Sequence, residues 1–326
     1  MNAQDPQVGG PLSGVRIADF SRVLAGPYAT MLLADLGADV IKIEGPEGDG
    51  TRQWTPPANA VGQSTYYAGA NRGKRSVVCD LRDPAGLAVA AELAHSADVV
   101  IQNFKPGTME RFGLGYEAVT EQNPGVVYCS ISGFGDAEGA ELPGYDLLVQ
   151  AVGGLMSITG QTEGEPTKVG VALVDIITGL NAVIGIQAAL RARDDEASPV
   201  HGQGQHVRVN LLSSLLSALA NQASSTLETG VSPGRMGNAH PSIAPYETFA
   251  TGDQTIALAV GTDGQFAQLA DVIGAYEQLD DWSAETLKVV LEEGMTRYGV
   301  KLGKAQAPVR VALSRRGRIT RVSVES

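Results

Sequence analysis

Val15-Arg-Ile-Ala-Asp-Phe-Ser-Arg-Val-Leu-Ala-Gly-Pro-Tyr-Ala-Thr-Met-Leu-Leu-Ala-Asp-Leu-Gly-Ala-Asp-Val-Ile-Lys-Ile43 is the stretch whose reading decides the fold class. Residues 15–20 have the length and apolar content of a buried strand. Pro27 then opens a helix that Tyr28, Met31, Leu32 and Leu33 continue and Gly37 closes. Residues 39–43 form the next strand. A strand, a helix of about ten residues and a second strand imply parallel pairing. The pattern recurs downstream: a helix over 84–96, a strand over 97–102, a helix over 116–122 and a strand over 126–131. The expected architecture is α/β, with a doubly wound, mainly parallel sheet in a large domain. Glu44 lies where the ribose-binding acid of a dinucleotide-binding protein would sit. The first turn, however, lacks the G-x-G-x-x-G that brings backbone against a pyrophosphate, so a dehydrogenase is set aside.

A chain of 326 residues has room for two domains or one large one, and 43% hydrophobic residues can bury an ordinary core. Forty glycines with 5% aromatics indicate tight turns and close helix packing. A net charge of −12 argues against a nucleic-acid partner, whose phosphates it would repel. It leaves room for an anionic small molecule, because a local basic pocket overrides the global sign. Cys79 and Cys129 alone supply no disulfide framework and no metal-ligand spacing. The polar, Gly/Pro-rich start lacks the pattern of a signal peptide, and a reducing cytoplasm is the expected location.

Chemistry concentrates in Lys168-Val-Gly-Val-Ala-Leu-Val-Asp175 and the run that follows it to Leu190. Ile176, Leu180, Val183, Ile184, Gln187 and Leu190 recur at helical spacing, which puts Asp175 at or just before a helix start. The plain reading makes Asp175 the helix N-cap. The sharper one makes it a nucleophile or base in apolar surroundings, kept ionised by the helix dipole. The run is long enough to span a membrane, but Asp175, Thr178, Asn181, Gln187 and three glycines favour a buried helix.

Beyond this helix, the polar segment 194–205 reads as a loop and 207–221 as a long apolar helix. Residues 230–245, dense in Gly, Pro and Asn, form a hinge. Strands over 246–249 and 255–260 and a short helix over 266–273 follow as a small domain.

Several segments together resemble the family III CoA-transferases, the group that holds formyl-CoA, carnitine and α-methylacyl-CoA enzymes. They are Pro11-Leu-Ser-Gly-Val-Arg-Ile-Ala-Asp-Phe20, Ala25-Gly-Pro27, Leu36-Gly-Ala-Asp-Val-Ile-Lys-Ile-Glu44 and Asn71-Arg-Gly-Lys-Arg-Ser76. Asn103-Phe-Lys-Pro-Gly107, Ser132-Gly-Phe-Gly135, Gly144-Tyr-Asp146, Ala151-Val-Gly-Gly-Leu-Met156, Asp175 with Thr178-Gly179, and Gly237-Asn-Ala-His-Pro241 continue the set in order. The resemblance implies that Asp175 is the catalytic aspartate, which forms an acyl anhydride and then a CoA thioester on its carboxyl. Gly133 or the pair Gly153-Gly154 is placed to hold the oxyanion, although turn or packing duty explains each glycine as well. It also implies CoA contacts at Leu24, Ala25, Asp80, Leu81, Arg82, Asn103, Phe104, Lys105, Arg111 and Tyr145. Arg82, Lys105 and Arg111 would meet phosphates. The resemblance further implies acyl-CoA and a carboxylate acceptor as the substrates, with no tightly bound cofactor and no metal expected. By the same resemblance the expected partner is a second copy in an interlocked homodimer, with neither nucleic acid nor membrane expected. A racemase of the same superfamily is the other activity, but it would pair the aspartate with a His at the position of Tyr145. A phenol with a pKa of about 10 is a poor shuttle near neutrality. The remaining reading is an inactive remnant that at most binds CoA.

By this resemblance, residues 1–11 are disordered and 12–222 form the large CoA-binding domain. Residues 223–245 are a linker, 246–280 part of a small α+β domain and 281–326 a tail outside the family, so the family fold is read as truncated. Trp282-Ser-Ala-Glu-Thr-Leu-Lys-Val-Val-Leu and residues 300–313 resemble the C-terminal anticodon-binding end of bacterial glutamyl-tRNA synthetases.

Overall fold

Ile17 and Ala18 are neighbours in sequence but belong to different cores, because successive side chains of a strand point to opposite faces of its sheet. They lie in β1 (Arg16–Asp19), near the middle of a six-stranded sheet. A computed structural model describes residues 9–250, 254–281 and 283–298. Two compact units are present: Met1–Ser157 with Thr167–Pro233, and Ile158–Pro166 with Gly234–Ser326.

In the first unit β1 leads into α1 (Ala25–Asp35) and β2 (Asp39–Glu44). After α2 (Thr65–Ala70) come β3 (Arg75–Val78), α3 (Pro84–Ser96), β4 (Val99–Gln102), α4 (Thr108–Arg111), α5 (Tyr116–Gln122) and β5 (Val127–Ser132). Then follow α6 (Asp146–Val152), α7 (Leu155–Ile158), α8 (Leu173–Asp194), β6 (His206–Asn210), α9 (Leu211–Ala218) and α10 (Ala220–Thr229). The sheet order is β3-β2-β1-β4-β5-β6, with every pair parallel. One face packs Ile17, Val40, Val99, Ile101, Val127 and Cys129 against α1 and α8. The other packs Ala18, Phe20, Val100 and Tyr128 against α3 and α5. Helices on both faces of an all-parallel sheet give the doubly wound α/β fold that the alternation of elements predicts.

Two readings of the sequence are corrected. Residues 207–221 are not one helix: β6 takes their start, because Val207 and Val209 alternate and pair with β5 along its length. Asn210 then ends the strand and caps α9, its side chain accepting from the Ser213 N–H. Cys79, which reads as part of a buried strand, instead follows the edge strand β3, which ends at Val78 and pairs outside β2. The apolar run of α8 is a core helix, with Val174, Ala182, Ile186 and Leu190 buried.

The second unit contains the antiparallel strands β7 (Tyr246–Ala250) and β8 (Thr255–Ala259). They are followed by α11 (Asp263–Glu277) and α12 (Ala284–Tyr298), an α+β arrangement. Leu258, Val260 and Leu269 make one small core, and Val272, Tyr276 and Leu287 another. Arg235 ties in the segment 158–166 by donating to the Gly164 carbonyl at 2.6 Å. Most of the expected disordered start and all of the tail beyond Tyr298 lie outside the described residues, as does the resemblance over 300–313.

Candidate active site

In a doubly wound sheet the strand order reverses once, and the two loops leaving that point diverge to open a crevice beyond the strand ends. Here the reversal falls between β1 and β4. The loop after β1 is the turn at 21–24, and the loop after β4 is Asn103-Phe-Lys-Pro-Gly107. Asn103 stitches them together: its Oδ1 accepts from the Arg22 N–H at 2.8 Å, and its Nδ2 donates to the Arg22 carbonyl at 2.7 Å. Phe104 is held in turn by Gln102, whose Oε1 accepts from the Phe104 N–H at 2.8 Å.

Val23 in this turn has φ +68°, in the left-handed region that a β-branched residue avoids. Such strain costs about 1–3 kcal/mol and persists only where surrounding contacts enforce it. Those contacts are a buried charge network. Asp49 Oδ2 accepts from the Val23 N–H at 3.2 Å and pairs with Lys42 Nζ at 3.1 Å. Lys42, fully buried, donates to the Ser21 carbonyl at 2.8 Å. Asp19 accepts from Ser21 N, from Thr30 Oγ1 at 2.6 Å and from Lys74 Nζ at 3.2 Å. Burial alone would raise the Asp19 pKa, but Lys74, Lys42 and the two hydroxyl donors hold it below the carboxylate range. Beside it, Glu44 is held at about 2 against the opposing effect of burial by Arg52, Ser76, the Asp49 N–H and Tyr67.

Asp175 is not the N-cap of α8. The cap position is Ala172, and the capping is done from α6: Asp146 Oδ1 accepts from the Val174 N–H at 2.8 Å and the Asp175 N–H at 3.3 Å. The other Asp146 oxygen takes Gln150 Nε2 at 2.5 Å, and Gln150 Oε1 accepts from Val169 N, which orders the approach to α8. The Asp175 carboxyl is thereby released from capping. Nor is it held ionised: burial, and then the charge of Asp146, push it up to about 7. Two helices meet closely behind it. A Cβ on Gly179 would lie 2.7 Å from the Ala25 carbonyl oxygen, so glycine lets α8 approach the first turn of α1.

A cleft of about 110 Å³ opens over Asp175, lined also by Ala25, Asn103, Phe104, Lys105 and Gly133. Gly133 and Gly144 stack backbone on backbone in its wall, where a Cβ on Gly133 would lie 2.4 Å from Gly144 Cα. Gly153 instead packs against Leu215, and Gly154 turns the chain at φ +87°. A second cavity of about 730 Å³ shares Phe104 and is lined by Arg22, Lys42, Asp80, Leu81, Arg82 and Arg111 among others. The residues expected to meet CoA therefore divide. Ala25, Asn103, Phe104 and Lys105 stand around Asp175, while Asp80, Leu81, Arg82 and Arg111 stand in the larger cavity. Lys105 is separated from the two arginines it was grouped with. Leu24, at the N-cap of α1, and Tyr145, 67% exposed at the N-cap of α6, line neither.

Sequence reasoning missed three residues. Asp146 was quoted only as part of a motif; its effect on Asp175 depends on a contact between residues 29 apart. Arg22 places its guanidinium 4.3 Å from the Phe104 ring centroid. Tyr66 is pushed up to about 12 by burial and then by the charges of Asp175, Asp146 and Asp49, which puts its phenol within electrostatic reach of the cleft. It stands edge-on to Trp54 at 5.0 Å beside a cavity of about 480 Å³ walled by Pro56 and Pro57. Among the described residues no group of His, Cys, Asp and Glu side chains is arranged to hold a metal.

Comparison with known proteins agrees with the resemblance read from the motifs. A model of CoA-transferase family III matches residues 12–296, running past Ala275, where the motif resemblance ends. A succinate–glutarate CoA-transferase of Agrobacterium fabrum is 48% identical over 282 residues, covering 83% of this chain and 68% of that protein. The human succinyl-CoA:glutarate CoA-transferase is 42% identical over 278 residues, 85% of this chain and 62% of its own length. This chain therefore spans about two thirds of the length of these relatives. The crystal structure of a CAIB/BAIF family protein from Brucella suis superposes with a TM-score of 0.74 at 43% identity, covering 94% of this chain and 77% of that one.

Proposed function

The chain belongs to CoA-transferase family III, and from that premise we propose that it moves CoA from an acyl-CoA thioester to a free carboxylic acid. The observation that carries this is the placing of one uncommitted carboxyl, Asp175, in a cleft that meets a larger arginine-lined cavity at Phe104. That is the layout a long thioester requires, with its phosphates at one end and its acyl carbon at the other.

Asp175 carboxylate attacks the thioester carbonyl, giving an acyl–aspartyl anhydride and expelling the CoA thiolate. The thiolate attacks the aspartyl carbon of the anhydride, forms an aspartyl–CoA thioester and releases the first acid. The acceptor carboxylate attacks that thioester to make a second anhydride, and the thiolate then takes the new acyl group and frees Asp175. A carboxyl poised at about 7 is ionised in about half the molecules at neutrality and is more basic than a solvated one. Its partly dry position against the carbonyl supplies the rest of its nucleophilicity. Gly133, in the cleft wall, offers backbone near the developing oxyanion, whereas Gly153 and Gly154 serve packing and turn. Arg82 and Arg111 meet the CoA phosphates, and Lys105 adds positive charge in the Asp175 cleft.

The named relatives support four- and five-carbon dicarboxylic acids as the acids exchanged. A racemase would need a proton carrier opposite the aspartate, and Tyr145, exposed and outside the cleft, does not supply one. The partner is a second copy. Leu147, Leu148 and Val152 on α6, Leu180 and Ile184 on α8, and Leu216 on α9 are exposed on three helices that touch one another, an apolar face suited to an obligate interface.

Incubation with succinyl-CoA and a panel of dicarboxylates, with thioesters separated by chromatography, tests the proposal. Glutaryl-CoA or a related thioester should form with the wild type and not with Asp175→Asn, which still binds CoA. Absence of transfer to every acid in the panel would overturn it.

A further inference from the structure

The mechanism leaves one conspicuous cation unused. Arg22 occupies a constrained turn: its N–H and carbonyl are both bonded to Asn103, and the next residue is held at φ +68°. An exposed arginine on an ordinary surface turn needs neither restraint. The restraints have a directional result, since the guanidinium lies 4.3 Å from the Phe104 ring centroid and lines the larger cavity.

The charge of that cavity is informative. Glu44 is taken by Arg52, and Asp49 by Lys42. Asp80 accepts from the Arg82 backbone N–H at 2.9 Å. Arg22, Arg82 and Arg111 have no carboxylate within ion-pair distance among the described residues, and Glu47 and Asp80 are the acids left without a cationic partner. With Glu44 and Asp49 already neutralised by Arg52 and Lys42, three arginines face two unpaired carboxylates, a local excess of positive charge in a chain of net charge −12. Guanidinium groups that line one cavity without carboxylate partners are a receptor for phosphate oxygens, which they bind as paired donors.

We infer that Arg22 is a phosphate-binding residue, completing with Arg82 and Arg111 a three-arginine site for the phosphorylated end of the substrate. The strained turn aims it. Stacked on Phe104, where the two cavities meet, the guanidinium takes the phosphate nearest the pantetheine arm, while Arg82 and Arg111 take those farther out. Asn103 is the positioning residue, coupling the turn to the Asp175 cleft that it also lines. This inference rests on the CoA reading and adds a residue that the motif resemblance does not mark.

The test compares wild type, Arg22→Gln and Arg22→Lys by calorimetric titration with CoA and adenosine 3′,5′-bisphosphate. It adds kcat/KM for succinyl-CoA and for the succinyl thioester of pantetheine, which lacks the phosphates. Arg22→Gln should weaken CoA about ten-fold, the effect of losing one charge-assisted hydrogen bond at an open site, with Arg22→Lys between it and wild type. The same variant should lower kcat/KM for succinyl-CoA by a similar factor and leave the pantetheine thioester within two-fold. Equal CoA affinity in Arg22→Gln overturns the inference, and so does an equal loss on both thioesters, which marks a collapsed turn rather than a lost phosphate contact. If wild type binds the bisphosphate but not CoA, and Arg22→Gln weakens that binding, the anion site stands and the transferase reading fails. Wild type that binds neither ligand overturns both.

Discussion

Replacing Asp146 by Asn separates its two effects on Asp175. The amide keeps a carbonyl oxygen where Asp146 Oδ1 now accepts from the Val174 and Asp175 N–H groups, so the helix start remains capped, and the bond lost is the one Gln150 Nε2 donates to the other oxygen. It removes the negative charge that, after burial, raises the Asp175 pKa. Of the roughly three pH units between 3.8 and about 7, Asp146 is the lesser cause. Its removal should therefore lower the Asp175 pKa by up to about 1.5 and leave it well above 3.8. The assay is kcat/KM for succinyl-CoA against pH, which reports the free enzyme. Wild type should lose about ten-fold per pH unit below 7, because only the ionised carboxylate attacks. The acid limb of Asp146→Asn should move down by about one pH unit, and the plateau should fall as the nucleophile becomes less basic. An unmoved limb in the variant, or a wild-type limb near pH 4, would refute the reasoning.

Burying Asp175 carries a stability cost with a definite sign. Its folded pKa of about 7 lies above the ordinary 3.8, so the unfolded chain gives up the proton first and the fold loses stability as pH rises from 4 to 7. Asp175→Asn should be the more stable protein at pH 8, by roughly 2–4 kcal/mol in urea denaturation, and match wild type near pH 4. Glu44 behaves oppositely: its folded value of about 2 lies below 4.5, so its contribution is full above pH 4.5 and fades as pH falls towards 2. Glu44→Gln should cost about 2–3 kcal/mol at pH 7 and progressively less at pH 3, again by urea midpoints. Gly179→Ala should force α8 off the first turn of α1, costing ~1–3 kcal/mol net and lowering kcat/KM with it; a fully active, undiminished variant would contradict the packing account.

The parts of this molecule legible in sequence are those that local periodicity writes. The strand at Ile17, the helix after Pro27 and the buried run of α8 each carry their pattern within one element. The start of residues 207–221 looked helical because the leucines that follow dominate the window; pairing with β5, a tertiary fact, makes it a strand. The reading of Asp175 shows the same limit. Its helix and apolar setting were visible, and so was the choice between cap and nucleophile. That Asp146 performs the capping, and that burial and its charge outweigh the helix dipole, depends on a fold that brings α6 to the head of α8. The interior lysines were invisible for a similar reason. Lys42 and Lys74 sit in strand-like or turn-like sequence where lysine is ordinarily solvated, and only the placing of Asp19 and Asp49 makes their burial tolerable.

Everything in the proposed chemistry passes through a covalent bond to one side chain. Protein incubated with succinyl-CoA and quenched with hydroxylamine, then digested and weighed by mass spectrometry, reads that bond directly. The account predicts a hydroxamate on the peptide that begins α8, located at Asp175 and absent from Asp175→Asn. Turnover without any modification of that peptide, or with the label on another residue, would contradict it.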